Sequence, residues 1–233
     1  MPEFLFAPAP VRSLRLLGQT AEYPVNRIFC VGRNYEAHAA EMGGSVDREA
    51  PWYFLKSAVH AVCPSGAVIA YPPGTANYHH EMELVVALGS SVFRGDQAQA
   101  QAAILGYGCG LDMTRRDRQQ DGKDNRRPWD LGKDFENSAV LGALTPAAQV
   151  PALAGRRIHL AVNGVLRQDA SLSEMVWSPA EVIAHLSQFY HLAPGDLIMT
   201  GTPAGVGAVV AGDVITGGIE GLAPVSLTIG AAE

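Results

Sequence analysis

The sequence predicts an α+β fold made mainly of strands, on three observations. Short apolar runs rich in β-branched residues recur along the 233 residues, and 25 glycines and 15 prolines supply frequent turns between them. Only a few segments have helical composition. An Asn163-Gly164 pair between two alternating runs is typical of a β-hairpin over 157–168. Many short strands with few helices indicate a mainly β or α+β chain.

The individual elements follow from local patterns. Residues 1–24 contain prolines and no clear period, so we expect an irregular N-terminal segment followed by one domain at 25–233. Strands are predicted at 27–32, 52–56, 78–88, 104–112 and 197–200, and helices at 34–42, 97–104 and 178–189. The charged stretch 115–128 predicts a solvated helix or a loop beside an acidic substrate.

Two of the helices carry end signals. Asn34 is a plausible N-cap for the first, and Gly43-Gly44 is its stop. Ser178-Pro179 with Glu181 is typical of a capping box with proline at the first helical position. In this last helix Val182, Ile183, Leu186 and Phe189 recur at helical spacing, which predicts one buried face.

Two carboxylates lie near the start of the predicted strand at 78–88. Glu81 and Glu83 project to the same side, because successive side chains of a strand alternate. Asp112 ends another apolar strand. A divalent cation would compensate such a group, since hard cations take oxygen ligands. A surface pair of glutamates with Lys or Arg partners explains the two glutamates equally well.

His38 and Glu41 lie three residues apart on the predicted helix, so they share one face. A carboxylate beside an imidazole orients the ring and raises its basicity, as a general base requires. An ordinary surface histidine with a glutamate neighbour has the same spacing, and the spacing alone favours that ordinary pair over a general base.

Bulk properties exclude several classes of partner. The net charge of −6 disfavours general affinity for nucleic acid or anionic membranes. No apolar run reaches the roughly 18–20 residues of a spanning helix, and the first residues lack the cationic start of a signal peptide. Three cysteines without CxxC spacing predict buried, reduced thiols in a cytoplasmic protein.

Several motifs taken together resemble the fumarylacetoacetate hydrolase family, especially its short bacterial acylpyruvate hydrolases. They occur in the family's order from about residue 25 to the C-terminus. The motifs are Cys30 to Tyr35, His38 with Glu41, Phe54-Leu55-Lys56, His80 to Leu84, Leu111 to Thr114, Lys133 and Gly201 to Gly207.

The resemblance implies a mixed β-sandwich roll of the family's C-terminal type, usually dimeric, with Mg²⁺ or Mn²⁺ bound in the roll. Carried over by position, the metal ligands would be Glu81, Glu83 and Asp112. The water-activating pair would be His38 with Glu41, and Lys133 would be the active-site lysine. Positions near the substrate would be Arg33, Arg116, Gln119 and Thr202.

The activity implied by the resemblance is hydrolysis of the C–C bond of a 2,4-diketo acid. Fumarylpyruvate, cleaved to fumarate and pyruvate in aromatic degradation by the gentisate route, is the expected substrate. Decarboxylation of oxaloacetate and isomerisation or decarboxylation of unsaturated diacids remain alternatives. A catalytically idle metal-binding scaffold is a third, although a scaffold has no need of the six residues Glu81, Glu83, Asp112, Lys133, His38 and Glu41.

Overall fold

The computed structural model describes residues 3–150 and 152–233. Its strands are β1 (Ser13–Arg15), β2 (Glu22–Pro24), β3 (Arg27–Gly32), β4 (Trp52–Lys56), β5 (Val62–Pro64), β6 (Ala67–Tyr71), β7 (Tyr78–His80), β8 (Met82–Leu88), β9 (Ile104–Asp112), β10 (Thr114–Arg115), β11 (Ala139–Leu141), β12 (Thr145–Pro146), β13 (Arg157–Val162), β14 (Val165–Ser171), β15 (Asp196–Met199), β16 (Gly207–Val209), β17 (Val214–Ile219) and β18 (Val225–Ala232). The α-helices are α1 (Glu36–Glu41), α2 (Ala58–Ala61), α3 (Gln97–Ala102), α4 (Arg116–Asp124), α5 (Asp130–Lys133) and α6 (Pro179–Leu186), and two short 3₁₀ turns lie at Ala147–Gln149 and Leu172–Glu174. The expected mainly β, α+β architecture is confirmed.

Two large curled sheets enclose the core, and a small sheet joins them near the site. The larger sheet runs β4-β3-β15-β8-β9-β11-β5 with β12 beside β9, and the second runs β14-β13-β17-β18-β6. Both mix parallel and antiparallel pairs. Strand β8 is fully buried along its length, as its unbroken apolar run from Leu84 predicts.

The predicted strand at 78–88 is interrupted at Glu81. The part before it, β7, pairs with β10 and β16 in a three-stranded sheet, whereas β8 pairs with β9 and β15 in the large sheet. The chain therefore changes sheets at Glu81. The backbone of Glu81 is nevertheless bonded to the end of β9, because its carbonyl accepts a hydrogen bond of 2.9 Å from the Asp112 amide.

Helix α1 differs from the prediction at its N-terminus. The helix begins at Glu36 with Tyr35 as its N-cap, and Asn34 does not cap it. The buried Asn34 amide instead donates to the carbonyls of Trp177 and Thr200, at 2.9 and 2.8 Å. Hydrogen bonds to residues distant in sequence therefore occupy the side chain that a local N-cap would have used.

Helix α6 begins as predicted, with a Ser178–Glu181 capping box and proline in its first turn. It ends at Leu186, before Phe189. Val182, Ile183 and Leu186 are buried, but Phe189 is 69% exposed. The prediction that Phe189 is buried is therefore wrong. The helix ends at Leu186, so Phe189 is not held on the buried helical face.

The N-terminal segment holds a strand pair where irregular chain was expected. Strands β1 and β2 pair antiparallel through Leu14 and Tyr23, and both side chains are buried. The Tyr23 hydroxyl donates to the carbonyls of Leu88 and Asp196, 2.9 Å each, which ties the pair to the large sheet. The boundary at residue 25 remains a prediction. Among the described residues no helix is both long and apolar enough to span a membrane.

Candidate active site

Three buried carboxylates meet where β8 and β9 lie side by side. Glu81, Glu83 and Asp112 each offer an oxygen within 4.8 Å of the others. The antiparallel register places Glu83 opposite Gly110, two residues before Asp112. The register of β8 and β9, with Glu81 immediately before β8, thus places all three side chains in one cluster.

Buried cations surround this cluster. Lys133 Nζ lies 2.7 Å from both Glu81 Oε2 and Asp112 Oδ2, and Lys56 Nζ lies 2.9 Å from Asp112 Oδ1. Arg116 pairs with Glu81 Oε1. Burial by itself would raise the pKa of Glu81, but Lys133 and Arg116 together bring that pKa well below its usual value.

Glu83 is in a different electrostatic position. Burial, followed by repulsion from Asp112 and Glu81, raises its pKa well above the ordinary value, although the Gly201 amide donates to Glu83 Oε2 at 2.8 Å. In the described parts of the chain the neighbouring cations pair with Glu81 and Asp112, so Glu83 is the carboxylate of the three without a cation partner.

The donor set fits a hard divalent cation. All three groups are oxygen donors, as such cations require. Asp112 Oδ1 is buried and receives no well-directed hydrogen bond, despite its proximity to Lys56. An acceptor left in this state is suited to a metal ligand. The cluster is therefore a divalent metal site made of Glu81, Glu83 and Asp112.

His38, of the predicted histidine–glutamate pair, lines the same cavity as the carboxylates. His38 Nδ1 lies 3.4 Å from Glu41 Oε2, and the Gly205 amide donates to both oxygens of Glu41, at 3.1 and 3.2 Å. Burial lowers the pKa of His38, against the opposing pull of Glu81 and Glu41. The imidazole is therefore neutral near pH 7 and able to accept a proton.

The remaining predicted positions also line this cavity: Arg33, Arg116, Gln119, Lys133 and Thr202. Arg116 Nη1 donates to Gln119 Oε1 at 2.7 Å, so that guanidinium is held between Gln119 and Glu81. Thr202 accepts a hydrogen bond of 2.8 Å from Gln168.

His79 lies outside the carboxylate group. One ring nitrogen contacts Asn77 Oδ1 at 2.8 Å and the other contacts Arg116 Nε at 3.4 Å. Both nitrogens are occupied, which fits a structural role rather than that of a fourth ligand.

Sequence reasoning missed four residues at or beside the site: Lys56, Lys123, Trp52 and Trp129. Lys56 and Lys123, together with Lys133, are all the lysines of the chain. A signal for Lys123 was present, because it follows Arg116 and Gln119 at helical spacing of seven and four. No local pattern singled out the two tryptophans.

A curled mixed-sheet domain with a buried three-carboxylate metal site beside a histidine–glutamate pair defines a metal-dependent enzyme. Residues 27–229 match the family description "Fumarylacetoacetate (FAA) hydrolase C-terminal". The chain belongs to the fumarylacetoacetate hydrolase family.

Similarity to known members extends over most of the chain. A fumarylpyruvate hydrolase from a Ralstonia species is 52% identical over 82% of this chain and 100% of its own length. The oxaloacetate tautomerase YcgM of Escherichia coli is 37% identical over 88% of this chain and 93% of its own. The crystal structure of fumarylpyruvate hydrolase from Pseudomonas aeruginosa, in complex with Mn²⁺ and pyruvate, has a TM-score of 0.93 at 44% identity and covers 98% of this chain and 100% of that one.

Proposed function

We propose that this protein hydrolyses fumarylpyruvate to fumarate and pyruvate. The observation that carries the proposal is that the buried His38, paired with Glu41, faces the same cavity as the three carboxylates. Support comes from the Ralstonia relative and from the Pseudomonas aeruginosa structure, whose Mn²⁺ and pyruvate fit such a site.

The reaction adds water across a C–C bond of the diketo acid. The water oxygen bonds to the distal carbonyl carbon, and the adjacent C–C bond breaks. Its electron pair leaves with the methylene carbon of the substrate as the enolate of pyruvate, and that carbon then takes up a proton to become the methyl group of pyruvate. A bound Mg²⁺ or Mn²⁺ would supply Lewis-acid stabilisation of that charge, worth several kcal/mol.

The protein's own groups handle the protons and the orientation. His38 accepts the proton of the attacking water, with Glu41 holding the ring, a role typically worth about 10²–10⁴-fold. Lys133 is held by Glu81, Asp112 and Thr114, each at 2.7 Å, so its three N–H donors are occupied and its ammonium supplies a fixed positive charge beside the carboxylates.

The test is loss of fumarylpyruvate ultraviolet absorbance with purified protein, with and without Mg²⁺ or Mn²⁺. We expect turnover that requires metal, that falls by about 10² or more in His38→Ala, and that is faster than for acetylpyruvate. Absence of metal-dependent cleavage would overturn the proposal.

Oxaloacetate chemistry is the second candidate, favoured by the 37% identical oxaloacetate tautomerase of E. coli. Tautomerisation moves a proton without breaking a C–C bond, and decarboxylation breaks a bond without an activated water. Parallel assays of oxaloacetate enol–keto exchange, carbon dioxide release and fumarylpyruvate loss distinguish the three. A kcat/KM for oxaloacetate well above that for fumarylpyruvate would favour this candidate.

A homodimer working in the cytoplasm, in aromatic degradation through gentisate, completes the proposal. All three cysteines are buried free thiols, as suits a reducing compartment. The exposed apolar side chains of Leu55, Leu131 and Phe189 support self-association.

A further inference from the structure

A half-buried lysine faces the cavity that contains the carboxylate site. Lys123 lies on α4 in line with Arg116 and Gln119, and all three line the same cavity. In the described parts of the chain, the ion pairs formed within 4.0 Å leave Lys123 without a carboxylate partner, whereas Lys56 and Lys133 are both paired.

The fold holds Lys123 in place. After α4 ends, the Arg127 amide donates to the Gly122 carbonyl at 2.8 Å, so the chain turns back on the helix. This return places the Trp129 ring 5.3 Å from Lys123 Nζ. Trp129 in turn packs edge-on against Trp52, with ring centroids 4.9 Å apart. Lys123 is thus stacked against a supported aromatic wall of the cavity.

The charges around the cavity leave Lys123 available for an anion. Arg116 is already paired with Glu81, and Lys133 with Glu81 and Asp112. Among the described cations that line the cavity, Lys123 and Arg33 are the two without an ion pair, and Lys123 is the one that lies over the Trp129 ring. Burial, and then the nearness of Arg116 and Arg33, lowers the pKa of Lys123. A divalent cation would add more positive charge to the same cavity, so an incoming substrate with two negative ends would be favoured over one with a single carboxylate.

We propose that Lys123 binds the far carboxylate of a dicarboxylic diketo acid and thereby sets the acyl-group specificity of the site. The inference rests on the proposed function, which places the 2-oxo acid end of the substrate at Glu81, Glu83 and Asp112. The far end then extends along the cavity to Lys123, over the Trp129 ring. A planar unsaturated chain matches this aromatic wall.

The experiment compares kcat/KM for fumarylpyruvate and for acetylpyruvate, which lacks the far carboxylate. In Lys123→Met we expect the ratio of the two values to fall about 10- to 100-fold, as for loss of a hydrogen bond to a charged group. Lys123→Glu should lower the ratio further, and Lys123→Arg should largely restore it because the charge remains. Arg118→Met removes the same charge from an exposed position of α4 and should change the ratio by less than about twofold.

A binding measurement separates recognition from folding and from turnover. Fumarate, titrated against the Mg²⁺-loaded protein by tryptophan fluorescence, should bind about 10-fold or more weaker to Lys123→Met than to the wild type. Pyruvate should not show this difference. A lysine that only stacks on Trp129 would leave fumarate affinity unchanged.

The possible failures are distinguishable. If the wild type does not cleave fumarylpyruvate, the proposed function falls and this inference falls with it. If the wild type cleaves it but Lys123→Met keeps the wild-type ratio and fumarate affinity, only the role of Lys123 is overturned.

Discussion

His38 links local electrostatics to a measurable pH dependence. Its burial lowers the pKa, whereas Glu81 and Glu41 raise it and Arg116 and Lys133 lower it. The net shift is downward from 6.5, so the proposed base should stay neutral as the pH falls through that value.

We therefore expect the acid limb of the kcat/KM profile for fumarylpyruvate to lie below pH 6.5. Glu41→Gln removes a carboxylate that raises the His38 pKa, so the limb should move to still lower pH while the overall rate falls. The profile is measured under saturating metal. A limb at or above pH 6.5 would contradict the assignment of His38 as the free-enzyme base.

Lys56 connects the metal site to stability. Its fully buried ammonium lies 2.9 Å from Asp112 Oδ1 and donates to the carbonyls of Met113 and Lys133. Lys56→Met leaves those acceptors without their donor. Breaking a buried pair in this way typically costs about 3–5 kcal/mol.

The measurement for Lys56→Met is urea unfolding of the metal-free protein at neutral pH. Arg157→Met, which breaks an ion pair between half-exposed side chains, is the control and should alter unfolding little. Equal stabilities of Lys56→Met and the wild type would mean that the ammonium is not needed to compensate Asp112.

The loop between β15 and β16, residues 200–206, contacts helix α1 beside the site. Gly205, at φ +95°, presents its amide to Glu41. A Cβ there would lie 2.0 Å from the Arg167 carbonyl oxygen, so the backbone would have to move.

Gly205→Ala should lower kcat about 10- to 100-fold by shifting Glu41 and His38, since small misplacements of catalytic groups are costly. Mn²⁺ affinity should be retained, because the carboxylates are on other elements. Gly212→Ala is the matched control, with φ +96° but nothing within 4 Å of the new Cβ. If both variants lose activity equally, general backbone strain rather than the Glu41 contact is responsible.

Elements with strong local signals were predictable, and those governed by distant partners were not. The bounds of β3, β4 and β9, the Asn-Gly hairpin and the cap of α6 match the sequence patterns closely. The switch of sheets at Glu81 escaped prediction because each half-strand chooses its neighbours through long-range pairing. Asn34 was misassigned for the same reason.

The same distinction between local sequence signals and long-range contacts applies to the residues of the site. The proximity of Glu81, Glu83 and Asp112 followed from strand alternation and from the family motifs. Lys56 pairs with Asp112 across a separation of 56 residues, and Trp129 reaches Lys123 only through the turn after α4. Contacts of this kind have no period in the sequence to indicate them.

For the whole molecule, exposed apolar side chains suggest where a second copy would bind. Leu55, Leu131 and Phe189 are 48%, 70% and 69% exposed. Leu55 lines a groove together with Trp52, Tyr53, Phe54, Trp129 and Tyr190, and Leu131 and Phe189 are sequence neighbours of residues that line it. A patch of this kind is typical of an interaction surface.

We expect light scattering after size exclusion to give a dimer mass for the wild type and a monomer-shifted mass for Leu55→Asp, because a buried carboxylate at an apolar interface is costly. Val68→Asp, at a 71% exposed position on β6, is the control. A wild type that elutes with the mass of a single chain would contradict the homodimer.

The placement of the three lysines has a practical consequence for chemical labelling. Lys56 and Lys133 are buried in ion pairs, so Lys123 is the one side-chain amine of the native protein that is partly open to solvent. Reductive methylation with ¹³C-formaldehyde would therefore place an isotopic reporter on the wall of the cavity, and its NMR signal would follow ligand binding there without any engineered tag.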